Sequence, residues 1–143
     1  MNVGIDTDFL IRLAVLEHPG HATAVEMRDH HLRQGARFVL APQVVSEFVH
    51  VVTDPRRFQN PLSMSQALEW VQLWLNAAEV NSTSPTPAAL ERFFAWMSEH
   101  NLGRKRILDT MLAATYVTAG INHLITSNSA DYRIFRDLQL IKL

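Results

Sequence analysis

The sequence predicts an α/β fold in which a central, mostly parallel sheet is packed between two layers of helices. Short apolar runs alternate along the chain with longer segments of helical spacing, and this alternation is typical of parallel sheets with helical crossovers. The chain has 143 residues, of which 48% are hydrophobic and 19% charged. That composition suits one folded domain over residues 1–143 and excludes a disordered or low-complexity chain.

Each predicted element rests on apolar spacing or on a boundary residue. Buried apolar runs predict strands at residues 3–5, 38–40, 79–81, 121–125 and 138–143. Helical spacing and capping signals predict helices at residues 7–16, 21–34, 42–53, 64–78, 87–100 and 107–119. Ser63 and Gln66 form a capping-box pattern, Pro42 suits the first turn of a helix, and Gly35 and Gly120 end helices.

Charge and residue usage exclude several classes of protein. The net charge is −1 and the isoelectric point is about 6.6, so any contact with nucleic acid has to be local. The sequence has no cysteine, which excludes disulfides and thiolate metal centres. No signal-peptide pattern is present, and polar residues interrupt the longest uncharged run. We therefore expect a cytoplasmic protein without a membrane segment.

Three acidic residues lie on the borders of predicted apolar surfaces. Asp6 directly follows the first strand, Glu47 borders the apolar face of its helix, and Asp109 is the only formally charged residue within 107–130. Each has an ordinary structural explanation: a helix cap for Asp6, a solvated boundary glutamate for Glu47, and a first-turn aspartate for Asp109. A polar cluster at 126–131 follows the fourth strand. The carboxyl ends of parallel strands share one edge of a sheet, and ligands gather there.

Taken together, the acids favour a metal site over three separate explanations. Carboxylates brought close together raise each other's pKa unless a divalent cation neutralises them. Oxygen ligands without cysteine suit Mg²⁺ or Mn²⁺. The chemistry that follows is hydrolysis of a phosphodiester by metal-activated water, with no protein nucleophile.

Four motifs in order along the whole chain resemble those of the PIN-domain nucleases, and among them the VapC-type toxins of toxin–antitoxin pairs. The opening strand with its Asp-Thr pair and the helix-borne glutamate lie at residues 3–10 (VGIDTDFL) and 45–48 (VSEF). The third acidic motif and the last strand with its acidic loop lie at residues 107–115 (ILDTMLAAT) and 124–132 (LITSNSADY).

This resemblance implies a Mg²⁺- or Mn²⁺-dependent endoribonuclease inhibited by a cognate antitoxin protein. Its catalytic and metal-binding acids would be Asp6, Glu47, Asp109 and Asp131. The supporting polar residues would be Thr7, Thr126 and Asn128. Many members of the family have an acid at the position of Asn128, so either Asn128 or Asp131 completes the site.

Two basic segments are candidates for contact with RNA. Arg104, Lys105 and Arg106 precede the helix that bears Asp109, where cations would bind phosphates; a solvated loop is the alternative. The triplet at 56–58 (RRF) places two cations beside an aromatic residue that could stack on a base. The aromatic residues of the fourth and fifth predicted helices favour the core, with a homodimer face or an antitoxin groove as the alternative.

Two other functions remain open from the sequence. The Asp-Thr-Asp segment superficially resembles the loop of haloacid-dehalogenase phosphatases, in which Asp6 would be the nucleophile and Asp8 the general acid. Alternatively, the chain is a catalytically inactive PIN-like module that binds RNA or protein. A trapped aspartyl-phosphate would favour the phosphatase, and binding that is indifferent to chelation would favour the module.

Overall fold

The computed structural model describes residues 1–143 and contains a five-stranded sheet in which all paired strands are parallel. The strand order is β3-β2-β1-β4-β5. The strands are β1 (Asn2–Ile5), β2 (Arg37–Leu40), β3 (Val80–Ser82), β4 (His123–Thr126) and β5 (Gln139–Lys142). The predicted α/β class is confirmed, and the sheet is wholly parallel.

Seven α-helices connect the strands. They are α1 (Thr7–Ala14), α2 (His21–Arg33), α3 (Pro42–Val52), α4 (Met64–Leu75), α5 (Pro87–Glu99), α6 (Ile107–Thr118) and α7 (Ser129–Tyr132). A 3₁₀ turn over Arg104–Arg106 leads into α6. Connections run from β1 outward through β2 to β3, and then from β4 outward to β5. Because crossovers between parallel strands are right-handed as a rule, connections that run in two directions place helices on both faces of the sheet and give the three-layer sandwich.

Most boundary residues behave as their chemistry predicts. The capping box of Ser63 and Gln66 forms in full at the start of α4. Gly35 and Gly120 follow helices with φ values of 76° and 77°, a conformation that glycine adopts without a Cβ penalty. No helix is both long and apolar enough to cross a bilayer.

Two helices are shorter than their apolar spacing predicts, and one was not predicted. Helix α1 ends at Ala14 because Val15 adopts an extended conformation, and Leu16 is consequently 78% exposed. Helix α4 ends at Leu75, before the predicted residue 78. Helix α7 has four residues, too few for a periodic pattern.

The ring of Tyr116 packs against the centre of the sheet. Its hydroxyl lies 2.7 Å from the carbonyl oxygen of Ile5 and 3.0 Å from that of Val39, on the neighbouring strands β1 and β2, and shares its single hydrogen between them. A Cβ atom at Gly4 would lie 2.9 Å from the Tyr116 ring, so β1 has a glycine where α6 crosses it. This contact fixes α6 beside the end of β1, one residue before Asp6.

The aromatic residues of α4 and α5 mostly serve the core, as the sequence predicts. Trp96 is buried and stacks on Phe135 with ring centroids 4.5 Å apart. Trp70 and Trp74 are partly buried against the core and stack on each other. Phe94 is the exception, because it is 59% exposed.

Candidate active site

The site lies where the chain changes direction across the sheet, between β1 and β4. Asp6 directly follows β1, and Thr126 is the last residue of β4. The Thr126 hydroxyl donates a hydrogen bond to Asp6 Oδ2, and the Thr7 backbone N–H donates to Asp6 Oδ1, each at 2.8 Å. Asp6 is therefore the N-cap of α1, which is the structural role that the sequence suggests for it. It also lies at the crevice where parallel sheets bind ligands.

Glu47 reaches the same crevice from α3. Its Oε2 atom accepts a hydrogen bond of 2.8 Å from the Thr7 hydroxyl. Thr7 is 4% exposed, so its hydroxyl is a fixed donor. Because Thr7 begins α1, this bond orients the Glu47 carboxylate beside Asp6.

Asp109 reaches the crevice from the first turn of α6. Its Oδ1 atom accepts a hydrogen bond of 3.1 Å from the hydroxyl of Tyr132, whose side chain is fully buried. The sequence motif at residues 124–132 includes Tyr132 but indicates no role for it. The one signal in the sequence is its position: Tyr132 is an aromatic residue with a hydroxyl group, and it directly follows Asp131 at the end of a polar segment.

Three of the four predicted acids, Asp6, Glu47 and Asp109, line two cavities at this edge of the sheet. One, of about 430 Å³, is polar and is also lined by Thr7, Asp8, Ile11, Val51, Arg57, Ser127 and Asn128. The other, of about 730 Å³, is lined mainly by residues of α3 and α6. The structure therefore brings together acids that are up to 103 positions apart in the sequence.

Burial and neighbouring charge make two of these acids weaker proton donors than usual. Burial is the largest cause that raises the pKa of Asp6 to about 6, with smaller contributions from the charges of Asp109 and Glu47. Burial also raises the pKa of Asp109, while the hydrogen bond from Tyr132 opposes the rise. The repulsion expected from the sequence is present, but the loss of solvent has the larger effect.

The donor set fits a hard divalent cation held by few protein ligands. Carboxylate, hydroxyl and amide oxygens from Asp6, Glu47, Asp109, Thr7 and Asn128 face one cavity. No three His, Asp or Glu side chains are arranged so that they could jointly hold a metal ion. Mg²⁺ commonly binds through one or two carboxylates and retains waters, so the residues fit such an ion.

Asp131 and Asn128 have different surroundings. Asn128 lines the polar cavity, whereas Asp131 does not. The Asp131 carboxylate accepts a hydrogen bond from the Asn128 amide, and its Oδ1 atom lies 3.8 Å from Arg106 Nε. Its charge nevertheless contributes to the raised pKa of Asp109.

The basic segments also separate in space. Arg104 and Lys105 are exposed on the 3₁₀ turn and line neither cavity, and Arg106 contacts Asp131. Arg57 lines the polar cavity. Phe58, the aromatic residue of the RRF triplet, packs against the core.

Among the solved structures with the same fold are two VapBC proteins and a VapC toxin. The chain aligns with VapBC2 from Rickettsia felis, bound to a promoter DNA fragment, at 12% identity and a TM-score of 0.70, covering 100% of this chain and 99% of that one. With VapBC-1 from nontypeable Haemophilus influenzae the identity is 18% and the TM-score 0.70, over 99% of this chain and 98% of that one. With VapC20 of Mycobacterium tuberculosis, a toxin that cleaves the sarcin–ricin loop, the identity is 16% and the TM-score 0.64, over 90% of this chain and 92% of that one.

Comparison of sequences identifies the family. No curated protein sequence matches the chain. A family model for the PIN domain matches residues 3–137, which contain all four motifs identified above. The chain belongs to the PIN domain family.

Proposed function

We propose that the protein is a Mg²⁺- or Mn²⁺-dependent endoribonuclease, formed by residues 1–143 as a single domain. The observation that carries this proposal is that Asp6, Glu47 and Asp109 line one cavity, in the crevice between β1 and β4 of a PIN domain. Asp6 and Asp109 are partly buried, and the loss of solvent around these carboxylates costs stability unless a cation compensates for it.

Asp6, Glu47 and Asp109 would share the metal, one or two of them in direct contact and the remainder through metal-bound water. A bound Mg²⁺ or Mn²⁺ supplies Lewis-acid stabilisation of negative charge on the phosphate and a water of lowered pKa. The carboxylates must be ionised to bind it, and the raised pKa of Asp6 makes this binding sensitive to pH.

The polar neighbours orient these acids. Thr126 holds Asp6, Thr7 holds Glu47, and Tyr132 holds Asp109, each through one hydrogen bond. Such contacts fix the direction of the carboxylate lone pairs before any ligand binds. We assign the completion of the site to Asn128, which lines the polar cavity, and Asp131 would act beside it by adding negative charge and by accepting the hydrogen bond that orients the Asn128 amide.

We further propose that the protein is the toxin of a type II toxin–antitoxin pair. The support is its fold, which it shares over nearly its full length with two VapBC complexes and with an RNA-cleaving VapC toxin. The proposal predicts that a cognate antitoxin protein binds this chain. It also includes the homodimer of this chain that the sequence analysis considers. Co-purification with the product of an adjacent small open reading frame, followed by loss of cleavage in the complex, tests the pairing.

Cleavage of a mixed RNA pool by the purified protein tests the nuclease. We expect fragments with Mg²⁺ or Mn²⁺ and none with EDTA. Asp109→Asn should abolish cleavage, whereas Asp137→Asn, which removes an exposed carboxylate paired with Arg92, should not. Cleavage that survives both EDTA and Asp109→Asn would reject the mechanism. RNA binding without cleavage, unaffected by either, would favour an inactive binding module.

A further inference from the structure

The polar cavity has one basic residue in its lining. Four of the lining residues are acids, Asp6, Asp8, Glu47 and Asp109, and Arg57 is the only arginine or lysine among them. An RNA strand that enters this cavity brings further negative charge toward those carboxylates. Arg57 is therefore the side chain from which a phosphate in the cavity would gain direct electrostatic attraction.

The guanidinium of Arg57 forms one ion pair within the protein and no side-chain hydrogen bond. Its Nε atom lies 3.7 Å from Asp54 Oδ2. The Asp54 side chain is 11% exposed and the Arg57 side chain is 60% exposed. Asp54 thus holds the Nε side of the Arg57 guanidinium near the cavity, and the N–H groups of that guanidinium remain free to bind an anion.

The neighbouring Arg56 provides a contrast within the same turn. It donates two side-chain hydrogen bonds to Asp54, at 3.2 and 3.4 Å, and its side chain is 85% exposed. It does not line the cavity. The two adjacent arginines therefore share one acidic partner, but only Arg57 faces the site.

We propose that Arg57 binds a backbone phosphate of the RNA beside the phosphodiester that is cleaved, and so positions the strand against Asp6, Glu47 and Asp109. This inference rests on the proposed nuclease function, because it assumes that the RNA bound by Arg57 is the substrate. The contact would be a charge-assisted hydrogen bond from the planar guanidinium, which can be bidentate. Asp54 would be a positioning residue that acts through Arg57.

Arg57→Gln and Arg56→Gln form a matched pair, because they remove the same charge from adjacent positions. Binding of a mixed single-stranded RNA oligonucleotide pool is measured in Mg²⁺ and in the Asp109→Asn background, so that substrate is not consumed. We expect Arg57→Gln to weaken binding about tenfold, and to reduce the slope of log K against log salt by about 0.7. Arg56→Gln should leave the slope unchanged. In the active protein, Arg57→Gln should raise KM more than it lowers kcat, and Arg57→Lys should restore part of the loss.

The outcomes separate this inference from the nuclease proposal. If RNA is cleaved and both glutamine variants behave alike, Arg57 has no specific role and the inference is overturned, while the nuclease stands. If RNA is bound through Arg57 with the predicted salt slope but is never cleaved, the phosphate contact stands and the nuclease proposal fails. If RNA is neither bound nor cleaved, both are overturned.

Discussion

The hydroxyl of Thr7 donates a hydrogen bond of 2.8 Å to Glu47 Oε2, and this bond joins the start of α1 to the second turn of α3. The preceding residue, Asp6, accepts the backbone N–H of the same threonine. One buried residue thus orients two of the three acids, through its main chain and its side chain.

Replacement of Thr7 should therefore separate orientation from chemistry. Thr7→Val keeps the shape but removes the donor to Glu47, and we expect RNA cleavage to fall about tenfold, the equivalent of one hydrogen bond of about 1.4 kcal/mol. Thr7→Ser keeps the hydroxyl and should retain most of the activity. Equal rates for the valine and serine variants would show that the hydrogen bond to Glu47 has no part in the reaction.

Removal of the Tyr132 hydroxyl should move the pH dependence of the site. Its hydrogen bond lowers the pKa of Asp109 and opposes the effect of burial. Tyr132→Phe should raise that pKa, so the rise of activity with pH, measured at limiting Mg²⁺, should shift to higher pH. Tyr116→Phe is the control, because its hydroxyl binds carbonyls of the sheet. Equal shifts in both variants would mean that the change is not specific to Asp109.

Asp6 should destabilise the metal-free fold at neutral pH. Its pKa rises from 3.8 to about 6 on folding, so the folded protein holds the proton more tightly between these values. Stability therefore falls as the pH rises from about 4 to 6, by at most about 3 kcal/mol. Asp6→Asn in EDTA should raise the free energy of unfolding at pH 8, and this gain should disappear near pH 4. Urea titrations at the two values test this, and a gain independent of pH would contradict it.

Gly4 should be intolerant of even one added methyl group. A Cβ atom there would lie 2.9 Å from the ring of Tyr116, whose hydroxyl is held between the carbonyls of Ile5 and Val39, so the ring cannot move freely. We expect Gly4→Ala to cost about 1–3 kcal/mol in thermal or urea unfolding. Gly103→Ala meets no atom within 4 Å and should be close to neutral. Equal stability of the two variants would show that α6 is not packed tightly on β1.

Local patterns predict the strands and most helices of this fold because each depends on residues close together in the sequence. The capping box at Ser63 and the glycines after α2 and α6 illustrate this. The early end of α1 at Ala14 escaped prediction because Leu16 continues the apolar spacing while the backbone at Val15 is already extended. The spacing of apolar residues carries no information about this change in the backbone conformation.

The sequence singles out the three acids that meet at the cavity but not the contacts that hold them, and Asp131, which it also predicts for the site, lies outside the cavity lining. Asp6, Glu47 and Asp109 stand out because charged side chains border apolar faces. The donors Thr7 and Tyr132 act over separations of 40 and 23 residues, which no local pattern encodes. The placement of Arg57 in the cavity and of Arg104 and Lys105 outside it likewise depends on how the turns fold back on the sheet.

Direct measurement of Mn²⁺ binding to the purified protein tests the central claim most closely, namely that three distant acids share one cation site. We expect titration calorimetry to detect binding at pH 8. Asp6→Asn, Glu47→Gln and Asp109→Asn should each weaken it by at least about tenfold, and Asp137→Asn should have no effect. If Mn²⁺ does not bind, or binds equally well to all four variants, the three carboxylates do not form a metal site.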